Sequence, residues 1–301
     1  MNNELIYIKH EDVDNEKWNH LVSLASEANI FCYDWYLNPF CKWDIVVLDD
    51  YEGGLVLPIG TRYGIKTIYQ PNFIQKCNWI GKELSDSHIN KLVLLLRSIA
   101  SHVRFNTNIP LGEVTQRTNL ILNLSDDIAM IRANYSKSLK RNLKKSSARL
   151  DLYEVSQPEN IIALYQARWG KLNPQLASID YNTLQQLIIA NPERFDCFEI
   201  CLADECIAGM IIAKGKNRLH YILGAGNDKA QELNAVSYGL DAILHKYSES
   251  NYIFDFEGSS IPSVKSFYER FGAVDEPFYQ VDLTHRWIKT LKSFYKRLAK
   301  S

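Results

Sequence analysis

Apolar positions along the chain switch repeatedly between a two-residue and a three-to-four-residue period. Residues 4–10 alternate as a first strand, and residues 14–28 place Trp18, Leu21, Val22 and Ala25 on one helical face. Ile45–Leu48 and Leu55–Ile59 flank the polar run Asp49-Asp50-Tyr51-Glu52-Gly53-Gly54, which is the pattern of a hairpin. Pro71 argues against a regular central strand at Tyr69–Phe73. Residues 86–100 repeat Ile89, Leu92, Val93, Leu96 and Ile99 as a helix face, and His102–Asn106 and Thr118–Leu124 read as strands.

The second half continues in the same way. Ser125-Asp126-Asp127 predicts a helix start, with Ser125 as the cap and acids in the first turn. Leu150–Val155 reads as a strand, and Pro158–Trp169 and Tyr181–Ala190 as helices. Phe195–Leu202 and Ile207–Lys214 form a predicted hairpin around Asp204-Glu205. There follow a strand at His220–Gly224, a helix at Leu233–Ser248, a strand at Tyr252–Phe256, a helix at Pro262–Phe271 and a strand at Phe278–Leu283. Arg286–Lys300 is a basic amphipathic helix, expected to dock on the protein. This order predicts the α/β (α+β) class, with mixed, mainly antiparallel sheets flanked by helices. It divides the chain into domains at 1–124 and 125–283 and a terminal helix at 284–301, the first domain being a looser version of the second.

Composition adds limits. The 301 residues are 46% hydrophobic, enough for a substantial core. Net charge is −1, so overall charge selects no partner and any charged site must be local. Met1-Asn2-Asn3-Glu4 lacks the basic and apolar regions of a signal peptide, and the best apolar run, Leu92–Ala100, is broken by Arg97; a cytoplasmic protein is expected. Cys32, Cys41, Cys77, Cys197, Cys201 and Cys206 form no CxxC pair and read as buried reduced thiols. The histidines are scattered and no metal site is predicted. Nucleotide-loop, HExxH and GxSxG motifs are absent.

Two stretches carry candidate chemistry. In Asp255-Phe256-Glu257-Gly258, alternation puts the two acids on one strand face, where they could take a proton from an amine or hold a cation, or form an ordinary salt bridge. On the following helix Val264, Phe267, Tyr268 and Phe271 form a core stripe, with the Tyr268 hydroxyl near the rim and helix amides free to meet an anion. The second stretch runs between Asp127 and Asp151 without an acid, and carries Arg132, Lys137, Lys140, Arg141, Lys144, Lys145 and Arg149. Leu139 and Leu143 dock one face of that helix. The lysines on the other are either a solvated face or a phosphate-attracting patch.

Three segments together resemble the FemAB family of GNAT-like peptidyl and acyl transferases. They are Tyr135-Ser136-Lys137-Ser138-Leu139-Lys140-Arg141-Asn142-Leu143-Lys144-Lys145, the helix with Tyr165 and Trp169, and Asp255-Phe256-Glu257-Gly258-Ser259 followed by Ser266-Phe267-Tyr268-Glu269-Arg270-Phe271-Gly272-Ala273. The resemblance implies tandem GNAT-like domains and transfer of an acyl or aminoacyl group to an amine, of the kind used in cell-envelope metabolism. It implies Asp255 and Glu257 as base or amine-orienting groups and Tyr268 as the acid for a leaving thiolate. Lys137, Lys140, Arg141, Lys144, Tyr221, Asn234 and Ser259 are the implied substrate contacts. An acyl-CoA or aminoacyl-tRNA donor and a small-molecule or nucleotide-linked amine acceptor are the implied partners. The usual CoA loop is replaced by Gly224-Ala225-Gly226-Asn227-Asp228 and Glu232-Leu233-Asn234-Ala235. A non-catalytic scaffold that holds a nucleotide-linked or anionic ligand is the competing expectation.

Overall fold

The computed structural model describes residues 4–146, 148–172, 179–258, 260–288 and 290. The chain divides into two units, Met1–Arg117 with Pro277–Ser301, and Thr118–Glu276. The first unit contains β1 (Leu5–Ile8), α1 (Asn15–Leu24), α2 (Asp34–Leu37), β2 (Lys42–Leu48), β3 (Gly53–Arg62), β4 (Ile65–Ile68), β5 (Trp79–Gly81), α3 (Asp86–Ile99), β6 (His102–Thr107) and β7 (Val114–Arg117). Asp14 caps α1 by accepting from the Lys17 amide, and Ser85 and His88 form a capping box at α3. The predicted helix faces are buried: Trp18 and Val22 on α1, Leu92 and Leu96 on α3.

The second unit contains β8 (Leu120–Asn123), α4 (Ile128–Ala133), α5 (Lys137–Ser146), β9 (Asp151–Val155), α6 (Glu159–Leu172), α7 (Tyr181–Ala190), β10 (Phe195–Leu202), β11 (Glu205–Lys214), β12 (Arg218–Gly226), α8 (Asp228–Glu232), α9 (Ala235–Lys246), β13 (Ile253–Asp255), α10 (Pro262–Glu269) and β14 (Val274–Asp275). The last strand, β15 (Phe278–Asp282), returns to the first unit. Asp127, not Ser125, caps α4: its carboxylate accepts from the amides of Ala129 and Met130. Its charge at the helix start makes it the stronger partner for those donors. The predicted Arg286–Lys300 helix lies largely outside the described residues. No described helix is long and apolar enough to cross a membrane.

The two sheets have one topology. The first runs β1-β2-β3-β4-β6-β15-β7, with β5 added beside β3; the second runs β14-β8-β13-β12-β11-β10-β9. Each is a four-strand antiparallel meander (β1–β4 and β9–β12). A fifth strand then pairs in parallel, β6 on β4 and β13 on β12. A helix supplies each of these crossovers, as a parallel pair requires. Two more antiparallel strands complete each sheet.

One of those two strands is exchanged in each sheet. β8 follows β7 directly in sequence yet sits between β13 and β14 of the second sheet. β15 follows β14 yet sits between β6 and β7 of the first. The sequence pattern assigns Thr118–Leu124 to the first domain and Phe278–Leu283 to the second, whereas each strand pairs in the opposite sheet. Alternation tells which face of a strand is buried, not which neighbour it pairs with.

A fragment ending at Arg117 would therefore have β6 and β7 separated by an unfilled strand position. Two bare edges are a template for aggregation. Expressed alone, that fragment is expected to be insoluble or to oligomerise; a soluble, folded monomer in analytical ultracentrifugation would contradict the exchange.

Candidate active site

In the second unit β12 and β13 pair for only three residues, Arg218↔Ile253, Leu219↔Phe254 and His220↔Asp255. β12 then runs on to Gly226 while β13 stops, so the β13-facing edge of β12 has no ladder partner beyond His220. At the same place Ile211 and Ile212 of β11 face Leu223 and Tyr221, leaving Ile222 as an extra residue in the ladder. Such a bulge bends the strand and re-aims its side chains.

A cavity of about 540 Å³ opens at this divergence. Tyr221, Gly224 and Gly226 of β12 form one wall, Val264, Phe267 and Tyr268 of α10 another, and Arg168 and Trp169 of α6 a third. The start of α9 closes it with Asn234, Val236 and Ser237. Apolar walls with a few convergent polar groups are the usual make-up of a small-molecule site.

Each wall has a local cause. Pro262 opens α10 at a position where a missing N–H costs nothing, and Gly272, at φ +80°, ends the segment. Phe254, Phe256 and Phe271 are fully buried and anchor β13 and α10 to the core. Gly224 is required by its neighbour: a Cβ there would lie 1.7 Å from the Tyr221 hydroxyl. The Trp169 indole donates to the Gly224 carbonyl at 3.3 Å and holds α6 against the strand. Tyr268 stacks on Phe256 at 4.6 Å and meets Tyr221 edge-on at 6.3 Å.

Burial dominates the electrostatics. It raises the Tyr268 phenol well above its ordinary value, with Tyr165 and Glu257 adding to the effect. Burial raises Tyr221 in the same way. Both phenols are therefore protonated at neutral pH and can donate hydrogen bonds or a proton. Positive charge comes from Arg270 and Arg168, the latter bonded to Asp228 at 3.1 Å and Gln231 at 2.8 Å. The first amides of α9 have no side-chain cap, because Asn234 takes a left-handed conformation and its side chain instead accepts from Asn142.

The two acids lie on the opposite face of the sheet from Tyr221, since His220 and Tyr221 are adjacent on one strand. Asp255 is 0% exposed. Its carboxylate accepts from Arg218 at 2.7 Å, from Asn119 at 3.2 Å and from the Glu257 amide at 2.8 Å. Arg218 also bonds Glu276 twice, at 2.8 Å each. Glu257 lies beyond the end of β13, in a left-handed conformation at φ +58°, so the alternation predicted for it stops one residue early. The turn still brings it back: Glu257 Oε1 is 2.5 Å from His220 Nδ1. The ligand-type atoms of His220, Asp255 and Glu257 lie within 4.8 Å of one another, with Arg218 supplying the positive charge.

The predicted residues thus separate into three places. Tyr221, Asn234 and Tyr268 share the cavity; Asp255 and Glu257 join His220 behind it. Lys140 and Lys144 line a different cavity with Tyr135, while Lys137 and Arg141 are exposed on α5 and line neither. Ser259 lies outside the described residues. Sequence reasoning missed Arg218 and His220, although Arg218-Leu219-His220-Tyr221 shows polar residues at a two-residue spacing in an apolar strand. Ser237, Arg168 and Arg270 gave no distinct signal.

No protein-family model matches this chain, and no curated protein matches it in sequence. Solved structures match it over nearly its whole length. FemX superposes with a TM-score of 0.67 at 8% identity, covering 92% of this chain and 96% of FemX. L-PGS from Bacillus licheniformis gives a TM-score of 0.56 at 12% identity, covering 95% of this chain and 96% of that one. A tandem GNAT protein from the clavulanic acid biosynthesis pathway gives 0.51 at 10% identity, covering 93% and 99%. With two sheets of one topology and these likenesses, the chain has the FemAB-like tandem GNAT fold.

Proposed function

We propose that the chain is an N-acyltransferase whose donor, a phosphate-bearing thioester or ester, occupies the cavity between β12, α9 and α10. The observation that carries this reading is Tyr268, a protonated phenol on the wall of a cavity that opens where two parallel strands part. An amine nitrogen attacks the donor carbonyl carbon and the new C–N bond forms. The carbon–sulfur or carbon–oxygen bond then breaks, and Tyr268 gives its proton to the departing thiolate or alkoxide. Backbone amides on the unpaired edge of β12 steady the carbonyl oxygen. The amine proton leaves to water in the cavity, since the Glu257–His220 pair lies on the other face of the sheet. Asp255, already engaged by Arg218, holds the Glu257 amide rather than the substrate.

The donor's phosphates would meet the first turn of α9, Ser237 and Arg270. This combination of uncapped amides, a hydroxyl and a guanidinium suits an anion. It fits the pyrophosphate of an acyl-CoA and equally the phosphates of an aminoacyl-tRNA terminus. Calorimetric titration with acetyl-CoA, and with a 3′-aminoacyl-adenosine analogue, tests the reading. One of the two is expected to bind with a micromolar dissociation constant, weakened about tenfold by Arg270→Ala as one charge-assisted hydrogen bond is lost. Absence of heat with both at millimolar ligand would favour the non-catalytic scaffold.

A further inference from the structure

A second cavity of about 610 Å³ lies in the same unit, between α4, α5 and α9. Arg132, Lys140, Lys144 and His245 bring its charge, and Tyr135, Tyr238 and Leu143 supply its less polar walls. Asp241 is the one acid among the lining residues, and Arg132 neutralises it with bonds of 2.9 and 2.6 Å. No other lining residue is acidic, the segment from Ile128 to Leu150 contains no acid, and Asp151 is the further carboxylate whose charge reaches Tyr238. The Lys140 ammonium donates to the Ala133 carbonyl at 2.9 Å, which holds its charge at the end of α4 while two of its donors remain for a ligand.

Tyr135 is the second, independent observation. It is 4% exposed, and its hydroxyl, sealed from solvent, has only a weak contact with the Asp241 carboxylate, short of a well-formed hydrogen bond. An unsatisfied buried hydroxyl costs roughly 1–3 kcal/mol. The cost persists only where something else holds the ring, and here Phe271 packs on it edge-on at 5.3 Å. Burial first, then the nearby Asp241, raises this phenol above its ordinary value, so it stays a donor.

We propose that this cavity binds the phosphoryl group of a small phosphate-bearing ligand, with Lys140, Lys144 and the Tyr135 hydroxyl as its donors. The rest of the ligand lies against Leu143 and Tyr238. The site is separate from the acyl-donor cavity and does not depend on the acyltransferase reading.

Calorimetric titration of the full chain with inorganic pyrophosphate and with ADP tests it. Binding of either is expected to weaken at least tenfold when Lys140 and Lys144 are both replaced by Ala, and about fivefold in Tyr135→Phe, which keeps the ring and removes only the oxygen. The Lys137→Ala, Lys145→Ala pair removes the same charge from outside the cavity and is expected to have little effect. Arg270→Ala, in the first cavity, is expected to have none. Equal affinity for the two ligands points to the phosphates alone, and tighter ADP binding to added contacts with Tyr238 and Leu143. The proposal is overturned if the wild type gives no heat with either ligand at millimolar concentration, if the exposed lysine pair weakens binding as much as the cavity pair, or if the loss tracks Arg270 instead.

Discussion

Arg218→Leu is expected to destabilise the protein by about 3–5 kcal/mol, because it removes one partner of a buried ion pair and leaves the other charged. Asp255 has no exposure to water, and the bonds it keeps from Asn119 and the Glu257 amide come from neutral donors. Arg218 also joins β12 to Glu276, so two carboxylates lose their counter-charge. Urea unfolding followed by circular dichroism measures the effect. Replacing both Arg218 and Asp255 by Leu should recover much of the loss, since an ion pair exchanged for apolar side chains of similar volume is often neutral. A single-variant loss under about 1 kcal/mol would mean that the guanidinium is better solvated than its 16% side-chain exposure implies.

Tyr268→Phe is the second. It removes the proposed proton donor and keeps the ring that packs on Phe256 and Tyr221. General acid assistance contributes roughly 10²–10⁴-fold, so kcat should fall by at least about 10²-fold with KM and Tm almost unchanged. The pH profile supplies a check that a structural role would not pass. Because the phenol is raised above 10.0, it remains protonated as pH climbs toward that value. Tyr268 therefore adds no alkaline limb below about pH 10, and the variant profile is lowered evenly without a shift in shape. A Tm loss that accounts for the missing activity would make Tyr268 a core residue only.

Much of the architecture is legible in the residues. The stripe Val264, Phe267, Tyr268 and Phe271 sets α10 and hence one cavity wall. Leu139 and Leu143 set which side of α5 is left to the lysines. The six cysteines are unpaired, as their spacing implied, and burial pushes the Cys32 thiol up to about 11. What could not be read depends on register and on distant partners. Asp255 carries no mark that Arg218, rather than a substrate, will face it; that follows from parallel pairing two residues away at His220. α8 hides in a polar run too short for a periodic signal. The separation of the lysine-lined cavity from the tyrosine-lined one depends on the placement of α9 between them, and one-dimensional spacing cannot supply that.

The exchanged strands also set a schedule for the newborn chain. His102 and Thr284 are 182 residues apart in sequence and bond at 2.7 Å beside β15. The first sheet emerges from the ribosome complete except for one interior strand. That strand appears only after the whole second unit has been made. The second sheet faces no such delay, since β8 precedes every strand it must join. Synthesis at roughly 5–20 residues per second leaves the first sheet waiting many seconds with its gap open. The unit translated first is thus the one that finishes folding last, and it is the one most in need of protection meanwhile.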